Sequence, residues 1–233
     1  MKENIISIYH GSDSIINPPL YGGGKLNNDY GQGFYCTEDI EMAKEWAVEK
    51  GRDGFVNEYR LDLRNLSVLN LNSEKYTILH WLSILLCNRQ FDIQSDFGNE
   101  AKQYLLNRFL PNYEKYDVIR GYRADDSYFS FAQDFLNNTI SLKTLSRAMR
   151  LGNLGEQLVL KSKQAFDTIE FVNANPVNSS IWYPKKEHRD SKARKQYHDI
   201  RNEKWKRGDI YIMQLLDEDM KEDDERIRFH ITE

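Results

Sequence analysis

Between Asn17 and Gly33 the chain holds five of its thirteen glycines, together with Pro18 and Pro19. No other feature constrains the fold more. Glycine loses the most conformational freedom when ordered, and proline has no N–H to give to a ladder, so this stretch forms neither helix nor strand. The elements beside it must be short. Ile5–His10 is a β-branched run that stops at Gly11-Ser12-Asp13, and Gly33–Cys36 is a second short strand. The loop between them reads as unable to bury a core, yet it lets backbone approach a ligand closely. Thr37 then reads as an N-cap, with Glu38 and Asp39 in the first turn of a helix over Ile40–Lys50.

Further along, Phe55–Leu71 reads as a strand, with Val56, Tyr59, Leu61 and Leu63 among polar residues and a second run at Leu66–Leu71. Ser73–Leu86 and Asn99–Leu110 read as two amphipathic helices, the second closed by Pro111. Tyr116–Ile119 is a short strand leading to Gly121, Ser127–Asn137 is helical, and Ser141 caps a helix to about Arg150. Gln157–Lys161 is a strand, residues 163–166 a turn or short helix, and Thr168–Val172 a final strand. No internal repeat is present.

The composition changes after Pro184. Residues 185–207 carry ten Lys/Arg against four Asp/Glu, whereas residues 208–233 carry nine acids against three Lys/Arg. Either the opposed blocks pair with each other, or a basic helix meets nucleic acid or an acidic partner. Over the whole chain the net charge is −4, which gives no global basic field to recruit nucleic acid. The two cysteines, Cys36 and Cys87, make neither a disulfide framework nor a metal knuckle, and a reducing compartment is the simplest context. The longest apolar run, Ile78–Cys87, is broken by His80 and Ser83 and is too short to span a bilayer. With no signal peptide at the start, the chain reads as soluble and cytoplasmic.

Four places have the residue types that chemistry needs. His10 ends a strand just before the glycine-rich loop, where it is either a satisfied structural residue or a donor to a ligand hydroxyl, with Gly11 offering its backbone to an amide. The stretch Asp29–Asp39 is a glycine turn, a strand and a helix start, and it matches neither a Walker loop nor a Rossmann fingerprint. Tyr35 and Trp46 lie eleven residues apart, about three helical turns, and either reads equally as core. Ala124-Asp125-Asp126 is a cap or a pair of metal-binding acids. Glu156-Gln157 places a carboxylate and a carboxamide at the mouth of an apolar strand, where neighbours point to opposite faces.

Taken in order, these pieces resemble the ADP-ribosyltransferase superfamily, in its His–Tyr–Glu branch of diphtheria-type toxins and poly(ADP-ribose) polymerases. Gly31-Gln32-Gly33-Phe34-Tyr35-Cys36-Thr37-Glu38-Asp39 is similar to the polymerases' Gly-Lys-Gly-Ile-Tyr-Phe-Ala-Asp segment. The whole most resembles a small bacterial family of ADP-ribosyltransferase-like proteins, often encoded as toxin partners. There Asp-x-Gly-x-Gly-Phe-Tyr, Ala-Asp-Asp and a late Gln-x-x-x-Lys-Ser-x-x-Ala recur together. The resemblance covers roughly residues 5–175.

The resemblance implies an α+β fold, a split antiparallel β-sandwich with helices 73–110 inserted, over a domain of residues 1–184. A charged extension, 185–233, would pack on that domain. The implied chemistry cleaves the nicotinamide–ribose bond of NAD through an oxocarbenium-like transition state. Such a reaction needs a held nicotinamide, a fixed ribose and negative or dipolar stabilisation. His10 would bind a ribose hydroxyl and Gly11 the carboxamide, while Tyr35 would stack on the nicotinamide. Trp46 falls where the polymerases carry a second aromatic, and the four would line one cleft. Ala43 stands where the polymerases have a serine.

Gln157 occupies the position of the catalytic glutamate, with Glu156 one residue earlier. Alternation groups Glu156 with Leu158 and Leu160, and Gln157 with Val159 and Lys161, which turns Gln157 to the cleft and leaves Glu156 to assist through a bulge. The implied function is an NAD-dependent ADP-ribosyltransferase, the toxin of a bacterial toxin–antitoxin or defence pair. An NAD glycohydrolase, an inactive NAD or ADP-ribose binding module and a protein-interaction scaffold are the alternatives. NAD as substrate, no metal, a protein or nucleic-acid acceptor, an antitoxin protein and no membrane complete the expectation.

Overall fold

The computed structural model describes residues 4–124, 126–151, 155–204 and 206–229, with residues 126–129 and 229 described by backbone alone. The chain is mixed α+β and forms two compact units. The first comprises residues 1–70, 113–123 and 154–191. The second comprises residues 71–112, 124–153 and 192–233.

The first unit contains two sheets. One has the order β1 (Ile5–Ser12), β3 (Gly54–Asp62) and β7 (Ile169–Val177), all antiparallel. The other has the order β2 (Phe34–Cys36), β6 (Glu156–Leu160), β5 (Val118–Tyr122) and β4 (Val68–Asn70). Its β4–β5 pair is parallel, so the expected purely antiparallel pair of sheets is corrected at this edge. The strand expected over Phe55–Leu71, with its second run at Leu66–Leu71, is two strands, β3 and β4, one in each sheet.

Alternation explains how the sheets meet. Ile8, Tyr59 and Leu61 of the first sheet pack against Phe34, Cys36, Val118, Leu158 and Leu160 of the second. Each such burial stabilises the fold by about 1.5–3 kcal/mol. On the other face of the first sheet lies α1 (Ile40–Ala47), whose Ala43 and Ala47 pack on Val56 and Val177. The cap of α1 is Asp39, which accepts from the N–H groups of Glu41 and Met42, and not Thr37. Thr37 continues β2 instead, exchanging backbone hydrogen bonds with Tyr9.

The glycine-rich loop is more firmly built than its composition implies. Tyr30 and Asp29 within it are buried, and the Tyr30 hydroxyl donates to the carbonyl of Tyr122 at 2.8 Å. Lys161 Nζ donates to the carbonyls of Tyr30 and Gln32 at 2.6 and 2.7 Å. Burial holds the Lys161 ammonium below the usual lysine range.

The second unit is helical. It holds α2 (Ile78–Asn88), α3 (Asp96–Phe109), α4 (Asp126–Leu136), α5 (Leu142–Ala148), α8 (Ile212–Asp217) and α9 (Glu225–Phe229). Between them in sequence, α6 (Lys163–Asp167) belongs to the first unit, and α7 (Ser179–Arg201) begins in the first and ends in the second. The composition boundary at Pro184 therefore falls inside a helix. The charged blocks find partners elsewhere in the chain: Arg201 pairs with Asp134, Arg147 with Glu203 and Arg108 with Asp219. Among the described residues no helix is long and apolar enough to cross a membrane.

At the start of α2, the Thr77 N–H donates to Nδ1 of the buried His80 at 3.0 Å, so the Nε2–H points to Glu222 at 3.1 Å. Burial lowers the His80 pKa against the opposing pull of Glu222. The unfolded chain therefore takes up a proton first, below pH about 6.5, and the folded state follows only at lower pH. Stability is full above that value and falls with acidification, and His10, lowered for the same reason, adds to the fall. Melting temperatures at pH 7.5 and 5.5 are expected to differ more in the wild type than in His80→Asn; equal slopes would remove His80 from the account.

Candidate functional site

His10 and Gly11 lie on β1 beside Tyr35 of β2, with Trp46 on α1, but the side chains of His10 and Tyr35 point to opposite faces and none of the four lines the cavity shared by Glu156 and Gln157. His10 lies at the end of β1, and its Nδ1 is 2.6 Å from the carbonyl oxygen of Tyr35. A carbonyl only accepts, so Nδ1 carries the proton. Burial lowers the pKa of the half-buried ring, partly offset by that bond, and keeps it neutral. Nε2 is then an acceptor, which corrects the expectation that His10 donates to a ligand hydroxyl. The ring also packs on Phe34, with centroids 4.5 Å apart.

Gly11 meets α1 directly. A Cβ there would lie 2.9 Å from the Cβ of Trp46 and closer still to backbone of the same helix. Trp46 keeps its indole Nε1 buried without a hydrogen-bond partner, and the Arg123 guanidinium lies over its ring at 4.7 Å. Tyr35 projects from β2 towards the glycine-rich loop. Its hydroxyl donates to the Gly31 carbonyl at 2.6 Å and accepts from the Tyr30 N–H at 3.0 Å.

The registers Tyr35↔Val159 and Gly121↔Gln157 carry one face across the second sheet, and the Tyr9↔Thr37 bridge continues it to β1. Gly11, Tyr35 and Gln157 lie on that face, and His10, Phe34 and Glu156 on the opposite one. His10 thus reaches Tyr35 through its backbone rather than its ring. Gln157 is 3% exposed, and its Nε2 donates to Asp29 Oδ2 at 3.0 Å and to the Tyr122 carbonyl at 3.2 Å. Glu156 is exposed.

Both residues line a cavity of about 260 Å³, with Thr37, Glu38, Asp39, Arg120 and Leu158. Arg120 pairs with Glu38 at 2.6 Å, so this wall offers three carboxylates and one guanidinium. Among the described residues there is no group of three or more His, Cys, Asp or Glu placed to hold a metal ion. Of the Ala124-Asp125-Asp126 acids, Asp126 opens α4 and Asp125 lies outside the described residues.

Sequence reasoning missed Asp29, Arg120, Arg123 and Lys161. Asp29 and Lys161 had a signal, as the first residue of Asp-x-Gly-x-Gly-Phe-Tyr and the lysine of Gln-x-x-x-Lys-Ser-x-x-Ala. Arg120 and Arg123 are ordinary surface-type residues until β5 is paired into the sheet.

The structure defines an α+β domain with two sheets and a polar cleft between the β2–α1 link, β5 and β6. The model of a family described as "Protein of unknown function (DUF3990)" matches residues 6–171, and the chain belongs to that family. No curated protein and no solved structure matches it.

Proposed function

We propose that this chain is an NAD-dependent ADP-ribosyltransferase with an ADP-ribosyltransferase-like sheet pair, acting in the cytoplasm as the toxin of a bacterial toxin–antitoxin or defence pair. One observation carries the reading. Three segments far apart in sequence, Gly11, Tyr35 and Gln157, share one face at a single junction, with His10 tied to the backbone of Tyr35.

In the reaction the bond between the nicotinamide nitrogen and C1′ breaks, and its electron pair leaves with nicotinamide, which becomes neutral. Positive charge moves to the ribose. An acceptor hydroxyl or amine then bonds to C1′ and releases its proton to solvent. Carboxylates along the cavity suit that developing positive charge. The rings of Tyr35 and Trp46 offer faces to nicotinamide, worth about 0.5–1.5 kcal/mol each beyond area burial, while His10, whose ring lies on the opposite face, holds the backbone of Tyr35.

A second reading, an NAD or ADP-ribose binding module without turnover, is favoured by one feature: Gln157 cannot ionise and both hydrogens of its amide are engaged. Incubation with NAD⁺ decides between the two. Free nicotinamide is expected, together with an added ADP-ribose on protein or nucleic acid by mass spectrometry. Nicotinamide with free ADP-ribose alone would indicate water as the acceptor, and binding without nicotinamide would leave the second reading.

A further inference from the structure

The Gln157 amide is oriented by its surroundings. Its nitrogen meets two groups that only accept, the Asp29 carboxylate at 3.0 Å and the Tyr122 carbonyl at 3.2 Å. Both amide hydrogens are thereby committed, and a flipped amide would set its oxygen against both acceptors. What Gln157 presents on its remaining side is the carbonyl oxygen Oε1. Asp29 is itself buried, on a loop held to the sheet by Lys161 and by the Tyr30 hydroxyl, so its carboxylate is fixed behind the amide.

We propose that Asp29 is a positioning residue that converts Gln157 into a carboxylate-backed acceptor, with the amide oxygen facing a ribose hydroxyl and the formal charge one hydrogen bond behind it. The inference rests on the ADP-ribosyltransferase reading and deepens it. A glutamate at this strand position would supply contact and charge in one group. Here the contact comes from β6 and the charge from the glycine-rich loop. The amide nitrogen's pull toward the carboxylate polarises the whole amide and raises electron density on Oε1.

The test measures NAD⁺ affinity, nicotinamide release and melting temperature for the wild type and three variants. Asp29→Asn can still accept from Gln157 but carries no charge, so it is expected to bind NAD⁺ within about threefold of wild type while turnover falls at least about tenfold, as for loss of a charge-assisted hydrogen bond. Gln157→Glu sets two carboxylates against each other, and its turnover is expected to be low at neutral pH and to rise as the pH falls and the pair takes up one proton. The double variant Asp29→Asn/Gln157→Glu reverses the polarity of the bond and restores the charge, so turnover is expected to recover.

Wild-type turnover in Asp29→Asn would overturn the inference and leave the enzyme reading standing. So would a loss that follows melting temperature and is not recovered in the double variant, because that marks a purely structural clamp. If Asp29→Asn does not fold, the double variant against Gln157→Glu gives the same decision. A wild type that releases no nicotinamide overturns the enzyme reading and this inference with it.

Discussion

Gly11→Ala is expected to lower the free energy of unfolding by about 3 kcal/mol, the upper end of the range for overpacking. The added methyl would sit 2.1 Å from the Ala43 carbonyl oxygen, 2.6 Å from the Ala47 nitrogen and 2.9 Å from the Trp46 Cβ. Two of these are backbone atoms within α1 and cannot rotate aside. Relief requires moving the helix off β1, and with it the contacts of Ala43 and Ala47 on Val56 and Val177. Gly54, on the neighbouring strand, is equally confined, at 1.9 Å from the Ala47 carbonyl oxygen and 2.6 Å from that of Ser12. The two glycines allow the end of α1 to lie directly on the sheet. Urea unfolding of the purified variant measures the effect; an unchanged midpoint would show that α1 yields without cost. The packing demand also means that glycine at this position has a reason to be there that does not depend on a ligand. A functional claim for Gly11 therefore rests on its carbonyl and N–H, not on the residue type.

What the sequence disclosed follows from how local its causes are. The β-branched run Ile5–His10, the run Gly33–Cys36 and the run Gln157–Lys161 all carry short-range patterns, and each becomes a strand within a residue or two of those bounds. Ser141 caps its helix because a hydroxyl at that position answers a nearby N–H whatever the rest of the chain does. Thr37 looked like the same case. Its hydroxyl does accept from the Asp39 N–H, but its backbone is taken by Tyr9, 28 residues away in a pairing that only the tertiary fold creates. The charged tail offered a basic helix, but its start before Pro184 and its buried stripe were not legible. α7 buries Ala193, Tyr197 and Ile200 on one stripe, while lysines and arginines at the positions between set the average composition. The parallel pairing of β4 with β5 had no local signal at all. At the site, His10, Gly11, Tyr35 and Gln157 were each legible as residues, and their grouping came from a resemblance rather than from spacing. The bond between Gln157 and Asp29 spans 128 positions, and no pattern along the chain announces it.

Tyr35→Phe and Tyr35→Ala are expected to give different outcomes, and the difference isolates the ring from the hydroxyl. The hydroxyl's two bonds, to the Gly31 carbonyl and from the Tyr30 N–H, fasten the turn of the glycine-rich loop to β2. Phenylalanine removes both and leaves the ring in place. At about 1 kcal/mol for each bond, the fold is expected to lose about 2 kcal/mol, read as a lower melting temperature. NAD⁺ affinity is expected to stay within about threefold, because the ring face proposed to stack on nicotinamide is retained. Alanine removes the face as well. Stacking and burial together account for about 2 kcal/mol, so the dissociation constant for NAD⁺ is expected to rise about thirtyfold beyond that of the phenylalanine variant. Calorimetric titration with NAD⁺ on both variants, beside their melting curves, gives the comparison. Equal loss of affinity in the two would show that the ring touches no ligand and that the hydroxyl acts by shaping the loop. In that event Tyr35 would be a structural tie between the loop and β2, and the nicotinamide face would have to be sought at Trp46, where Arg123 already covers one side of the ring.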